Sequence, residues 1–246
     1  MKKLSVIIPS YNEEANLKKG VLDSVLDYLE KSKIDYELII VDDGSSDRSS
    51  EIISKYLEKN NNIKFIQNSH GGKANAVMTG MLKARGEIVL FTDMDQATPI
   101  DQIEKFFPQF DKGFDIVIGL RHGRRGAPFV RKLAAWGFSV LRGIILGLPF
   151  LDTQCGFKAF NRKAVEKIIP KIKHEWGVLH TSGGAVNAGF DVEVLYLAKK
   201  YGFKIAEVPV DWKYVDTERV QVLKDALAAI YDMLRIRIND FQKRYN

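Results

Sequence analysis

The chain begins with an apolar run, "LSVIIPS", that ends in a turn. It gives way to "EEANLKKGVLDSVLDYLEKS", where Leu17, Val21, Leu22, Val25 and Leu29 recur at helical spacing. The alternation then repeats. "YELIIVDDGSSD" reads as a second strand ending in aspartates, and "SSEIISKYLEKN" as a helix that Asp47, Ser49 or Ser50 is available to cap. "IKFIQNS" is a third strand, "GGKANAVMTGMLKARG" a helix opened by glycines, and "EIVLFTDMD" a fourth strand. "IDQIEKFFPQFDKG" is a helix and "FDIVIGLR" a fifth strand. Strands with so little polar alternation, separated by helices, predict an α/β fold with a mostly parallel sheet covered on both faces. In such sheets ligands bind beyond the carboxyl ends of the strands. Those ends carry "PSYNEE", "VDDGSSD", "NSHGGK" and "TDMDQ", so four polar clusters are expected on one rim.

The second half is less regular. "APFVRKLAAWGFSVLRGIILGLPFL" is strongly apolar with basic punctuation, and "DTQCGFKAFNRKAVEKII" follows it. A glycine-rich turn precedes a helix in "EWGVLHTSGGAVNAGFDVEVLYLAKKYGF", and "KIAEVPVDWKY" is a strand. From about Thr217 the apolar positions Val220, Leu223, Leu227, Ile230, Leu234, Ile238 and Phe241 trace a long amphipathic helix. Leu133–Leu151 is long enough to raise a membrane-spanning reading. Arg142 near its middle, three glycines and Pro149 oppose it. The expected form is an interfacial element, with Arg131, Lys132 and Arg142 at headgroup level and Trp136, Phe138 and Ile144 deeper. The alternative is a core-packed helix pair.

Charge sharpens this picture. The net charge is +6, and Ile116–Leu151 contains no acidic residue but six basic ones: Arg121, Arg124, Arg125, Arg131, Lys132 and Arg142. That imbalance predicts an anionic partner. Because the basic residues interleave with aliphatics and line no polar groove, nucleic acid is excluded in favour of phosphate or an acidic membrane surface. The 246 residues, 46% hydrophobic, suit one large domain. Cys155 is the only cysteine, which excludes an internal disulfide and fits a reducing, cytoplasmic setting. No leader pattern is expected at the start, because Pro9 and the charges after it break the apolar run.

The candidate chemistry centres on Asp93 and Asp95. Two aspartates one residue apart at a strand end face the same way and repel. A divalent cation between them and another anion resolves the conflict. Carboxylate oxygens select Mg²⁺ or Mn²⁺, and Mg²⁺ is usually held by one or two carboxylates plus substrate phosphates. The alternative is a pair of solvated turn aspartates. Asp42 and Asp43 fit either a tight turn or contacts to a ribose or base edge. "HGGKANA" approaches a phosphate loop without matching one, because Lys73 is followed by Ala74. The histidines show no metal-ligand spacing and read as incidental, and Cys155 reads as packing.

"VIIPSYNEE", "VDDGSSD", "GGKANAV", "FTDMDQATP" and "GLR", in that order, resemble family 2 glycosyltransferases of the GT-A fold. That resemblance implies a Rossmann-like nucleotide-binding half and inverting transfer from a nucleotide-diphospho-sugar with a divalent metal. "DTQCGFKAF" and "GFDVEVLYLAKKYGFKIAEVPVDW" are similar to the dolichyl-phosphate β-glucosyltransferase group among polyprenyl-phosphate glycosyltransferases. The resemblance implies a glycosyltransferase domain over 1–216, with a nucleotide-sugar half (1–120) and an acceptor half (121–216), then a C-terminal helix (217–246). Residue by residue, it places Pro9, Tyr11 and Glu13 around the nucleoside, Asp42 and Asp43 on uracil or ribose, and Lys73 near the nucleotide. Asp93, Met94 and Asp95 form the D-x-D segment, with Asp95 the surer metal ligand. Arg121 and Arg131 align with arginines that meet an acceptor phosphate, and Arg219 supplies charge to the donor site. The chain departs from the related mannose synthases in carrying Ala97, with Gln96 one place earlier, where a glutamine is usual.

The leading reading is therefore an enzyme moving glucose from UDP-glucose to a polyprenyl (dolichyl) phosphate, peripheral on a membrane. A phosphate acceptor is already a nucleophilic anion and needs no general base, so Asp191 and Glu193 are expected instead to bind sugar hydroxyls or position loops. A soluble or polysaccharide acceptor would need a base, with Asp191 the best candidate. Another donor such as GDP-mannose, or a non-catalytic nucleotide-sugar or membrane-binding module, are the alternatives.

Overall fold

The computed structural model describes residues 3–121, 129–179, 188–213 and 222–245; the side chains of 129–135, 175–179, 188 and 222–227 lie outside that description. In chain order the elements are β1 (Leu4–Ser10), α1 (Glu14–Lys18), α2 (Val21–Lys31), β2 (Tyr36–Asp42), α3 (Ser49–Leu57), β3 (Ile63–Gln67), α4 (Lys73–Lys83) and β4 (Ile88–Phe91). A 3-10 turn (Ile100–Lys105), α5 (Phe107–Asp111), β5 (Ile116–Arg121), α6 (Phe129–Leu146), β6 (Lys158–Asn161), α7 (Arg162–Leu179), α8 (Ala188–Lys200), β7 (Ile205–Val210) and α9 (Val222–Phe241) complete it.

The strands form one seven-stranded sheet in the order β3-β2-β1-β4-β6-β5-β7. Only β6 runs antiparallel to its neighbours, β4 and β5. The rest is parallel, as the unbroken apolar runs predict: every residue of β1 and β2 is buried. Pro9 is tolerated in β1 because the β1–β4 ladder ends at Ile7↔Phe91, before the missing N–H is needed. One core lies under α4, α7, α8 and α9, against Ile7, Ile39, Val89 and Ile118. The other lies under α2, α3, the 3-10 turn and α5, against Val6, Ile8, Leu38 and Leu90. Gly80 brings α4 tight onto the sheet, since a Cβ there would stand 2.4 Å from Ile7 Cγ2.

Two predicted helices are broken. The first splits into α1 and α2 because Gly20 adopts a left-handed φ of 76°. The second becomes a 3-10 turn and α5, with Pro108 in the first turn of α5, where its missing N–H costs nothing.

A buried knot fixes the far end of the sheet. Glu37 accepts from Ser5 Oγ at 2.6 Å, from the Arg85 N–H at 2.5 Å and from Lys64 Nζ at 2.5 Å. The C-terminal α9 packs against α6 and α8 and contributes Met233 and Ile236 to the core. Arg235 Nη2 donates to Glu193 Oε2 at 2.8 Å, and the Tyr245 hydroxyl bonds the other oxygen. Glu193 is thus fully buried and engaged, which removes it from the residues expected to bind sugar hydroxyls.

Arg142 also departs from expectation. It is 1% exposed, donating to Thr153 Oγ1 at 2.9 Å and Ser139 Oγ at 2.8 Å and bonding the Phe150 carbonyl. It packs on the Phe138 ring at 5.6 Å. A guanidinium with these partners folds the chain after α6 back on itself and does not reach a headgroup layer. Phe138 is likewise packed against the core. Trp136 (67%) and Ile144 (75%) do face outward.

Candidate active site

The rim predicted from the strand ends exists, and one corner is held by Asp42 and Asp43. Asp42 accepts from Ser45 Oγ at 2.5 Å and Ser45 N at 3.1 Å. Asp43 accepts the Gly71 N–H at 3.0 Å and the Gly72 N–H at 2.7 Å. His70 Nδ1 lies 2.9 Å from Asp43 Oδ2, and the His70 ring stacks on Tyr11 at 4.4 Å between centroids. Both carboxylates are buried and supplied with protein donors: Asp42 closes the turn after β2 onto Ser45, and Asp43 ties that turn to the loop before α4. Asp47 accepts from Ser49 N, and Glu14 N donates to its other oxygen. Ser49 Oγ accepts from Glu13 N at 2.7 Å, which brings Pro9, Tyr11 and Glu13 onto this corner. His70, read as incidental in the sequence, is therefore part of the rim. Its signal was the aromatic partner fifty-nine positions away, which no spacing rule detects.

The D-x-D segment lies past the strand, in a tight turn. β4 ends at Phe91; Gln96 takes φ 48° and its amide donates to the Asp93 carbonyl at 2.8 Å. Asp95 Oδ1 accepts the Ala97 N–H at 3.0 Å. Burial and the neighbouring Asp93 charge raise the Asp95 pKa, against the Ala97 N–H and Lys73, which lower it. Met94 between them is buried in the core below.

Asp93 faces "CGFK" across the sheet. Phe91 pairs with Lys158 in the β4–β6 ladder, and continuing that register sets Asp93 beside Gly156. A Cβ on Gly156 would stand 2.1 Å from Asp93 Oδ2. The carboxylate therefore occupies a place that only glycine leaves open. Asp93 Oδ1 is buried without a donor in regular hydrogen-bond geometry and meets the Lys73 ammonium instead.

Lys158, which no local pattern in the sequence marks, is fully buried. Its ammonium donates to Asp191 Oδ1 at 2.6 Å and to the Cys155 carbonyl at 2.5 Å, above the Phe91 ring at 5.2 Å. Asp191 stands in the first turn of α8, where a carboxylate also suits the helix dipole. Burial lowers the Lys73 pKa, but the charges of Asp93, Asp191 and Asp95 outweigh it and raise it. Asp95, Asp93, Lys73, Asp191 and Lys158 thus form one cluster of alternating charge.

Arg121 is engaged elsewhere. Its Nε and Nη2 clasp Asp152 at 2.6 and 2.7 Å, and its plane lies 5.5 Å from the Trp212 ring. This bidentate pair holds β5 to the loop before β6, so the fork expected to meet an acceptor phosphate is occupied by a carboxylate. The side chain of Arg131, and all of Arg219, lie outside the described residues. Cys155 is a buried thiol whose pKa burial raises, consistent with packing.

The sequence model described as glycosyl transferase family 2 matches residues 5–169. The chain belongs to glycosyl transferase family 2. It is 35% identical over 254 residues to a dolichyl-phosphate beta-glucosyltransferase of Dictyostelium discoideum, covering 95% of this chain and 73% of that one. The Homo sapiens protein of that name is 33% identical, covering 96% and 75%. Among solved structures, glucosyl-3-phosphoglycerate synthase from Mycobacterium tuberculosis, in complex with Mn²⁺ and UDP-glucose, superposes with a TM-score of 0.67 at 19% identity, covering 96% and 79%. A mannosyltransferase from Pyrobaculum calidifontis with GDP-mannose and Mn²⁺ reaches 0.59 at 19% identity, covering 97% and 69%. The fold is that of GT-A glycosyltransferases, and this family 2 chain is a glycosyltransferase enzyme.

The cluster of this glycosyltransferase fits a divalent cation. Its donors are carboxylate oxygens, and the Gly156 cradle keeps Asp93 in place. No group of three His, Cys, Asp or Glu side chains able to hold a metal occurs among the described residues. A metal here would take its remaining ligands from a substrate, as Mg²⁺ does in phosphate-transfer sites.

Proposed function

We propose that the protein transfers glucose from UDP-glucose to a polyprenyl phosphate, with inversion at the anomeric carbon. The observation that carries this reading is the match to dolichyl-phosphate beta-glucosyltransferases across 95% of the chain, including its second half. The site supports it chemically. Asp191, the carboxylate best placed to serve as general base, already holds the buried ammonium of Lys158. An acceptor that arrives as an anion needs no base, whereas a sugar hydroxyl does.

In this reading Asp95 and Asp93 would hold Mg²⁺ or Mn²⁺ beside the donor diphosphate. The metal would neutralise charge on the departing nucleoside diphosphate. The Tyr11–His70 stack and the Asp42–Asp43 corner receive the nucleoside, and Lys73 faces the diphosphate. Asp191, held by Lys158, orients the sugar. Arg131 supplies a guanidinium for the acceptor phosphate, a role suited to its planar donor fork, and Arg219 adds charge beside the donor.

Exposed apolar surface supports a lipid acceptor. No described helix is long and apolar enough to cross a membrane. Yet Trp136, Val140 and Ile144 share one outward face of α6 and line a surface groove with Pro149 and Leu151. On α9, Tyr231, Leu234, Ile238 and Phe241 (92%) are also exposed. These residues would seat the enzyme on a cytoplasmic membrane face and lead the polyprenyl chain to the site.

The test is transfer of radiolabel from UDP-[¹⁴C]glucose or GDP-[¹⁴C]mannose to polyprenyl phosphate in Mg²⁺ or Mn²⁺, read in the organic extract. Label from UDP-glucose alone supports the reading. Label from GDP-mannose instead, or label confined to the aqueous phase, would overturn it.

A further inference from the structure

Lys73 is placed against the electrostatics of its own helix. It is the first residue of α4, where aligned peptide dipoles leave partial positive charge, and a lysine there is disfavoured. The N–H groups just before it, on Gly71 and Gly72, are committed to Asp43. What holds the ammonium is the carboxylate side of the site: it pairs with Asp93 Oδ1, with Asp191 and Asp95 adding attraction. Lys73 therefore stands as a tethered cation on the ground beside Asp93 where a divalent ion would bind. A metal ion arriving alone must displace that ammonium and then lie next to it. A metal ion arriving with a diphosphate brings anionic oxygens onto which the displaced ammonium can move.

Resting on the metal–diphosphate reading above, we propose that Lys73 couples the binding of metal and nucleotide. It holds Asp93 and suppresses metal binding in the empty site, then passes to the diphosphate when both enter. The coupling is reciprocal: nucleotide tightens metal binding by the factor by which metal tightens nucleotide binding. The empty enzyme is thereby kept from filling with a divalent ion that lacks a donor.

The experiment is Mn²⁺ binding, read from the electron paramagnetic resonance of free Mn²⁺, with and without UDP, alongside UDP titrations in Mn²⁺. Lys73→Met should raise Mn²⁺ affinity in the absence of UDP by about tenfold and lower UDP affinity in Mn²⁺ by about the same factor. Lys73→Arg, which keeps the charge, should retain most of the coupling. Lys73→Gln, checked by its melting temperature, should repeat the signs seen with methionine. A lysine with a merely structural role would move both affinities in the same direction. Both falling, or neither changing, would overturn the proposal while leaving the metal reading intact. A wild-type protein that takes up no Mn²⁺ even with saturating UDP, or an Asp95→Ala variant that binds it normally, would overturn the metal reading and the coupling with it.

Discussion

Gly156→Ala offers a test of Asp93 that leaves every charged residue in place. The added methyl would lie 2.1 Å from Asp93 Oδ2 and 2.7 Å from its Cγ. Ordinary contact between such atoms begins more than 3 Å apart, so the carboxylate must move by roughly 1 Å or rotate away. The obstacle is the end of a half-buried side chain and not backbone, and Gly156 has no left-handed φ to lose. Folding should therefore suffer little, by about 1 kcal/mol, within the range of mild overpacking. Activity should suffer far more, because misplacing a reacting-site group by about 1 Å costs on the order of 100-fold. The assay pairs turnover of UDP-glucose with a melting curve for the same preparation. A variant that melts near wild type and retains near-wild-type turnover would refute the placement of Asp93 in the machinery. A variant that fails to fold would refute the argument that the side chain yields first.

Further outcomes follow from other contacts. Lys158→Met leaves Asp191 facing a buried apolar side chain, so turnover should fall about tenfold or more while UDP affinity holds, and Asp191→Asn in the same chain should recover part of the melting temperature, the Cys155 carbonyl staying without its donor, but not turnover. An unchanged turnover in Lys158→Met would remove Asp191 from the sugar. Burial opposes the Glu37 charge, but donors from Lys64, Ser5 and the Arg85 N–H outweigh it and lower the pKa from 4.5. The stability this contributes is present above pH 4.5 and lost as pH falls through the lowered folded value. Glu37→Gln should thus cost about 2 kcal/mol at pH 7, and its melting temperature should converge on wild type in acid; a constant gap down to pH 3 would contradict this. UDP with Mn²⁺ at about 100 times its Kd should stabilise the fold by about 2.7 kcal/mol, and GDP by less; equal shifts would undermine the choice of uridine.

Much of the sheet was legible because parallel strands buried on both faces leave unbroken apolar runs, as in "LSVIIPS" and "YELIIVD". β6 was not. It is four residues long, "KAFN", and its first side chain is a lysine that ends fully buried. The partner that makes this tolerable, Asp191, lies thirty-three residues on, beyond any local pattern. Arg142 misled for the same reason: its charge pointed to a surface, while Thr153 and the Phe150 carbonyl absorb it inside. The carboxylate turn of the site was visible as two aspartates at a strand end. Its counter-charges, Lys73 and Lys158, come from a helix start and an antiparallel strand, so their meeting depended on tertiary packing.

The most direct test of the account is the product itself. Purified enzyme should convert UDP-glucose, polyprenyl phosphate and Mg²⁺ into an organic-soluble glucosyl phosphate whose anomeric proton, read by NMR, reports the β configuration, as expected for one in-line displacement by the phosphate oxygen. An α-linked product, or glucose attached anywhere but the lipid phosphate, would contradict it.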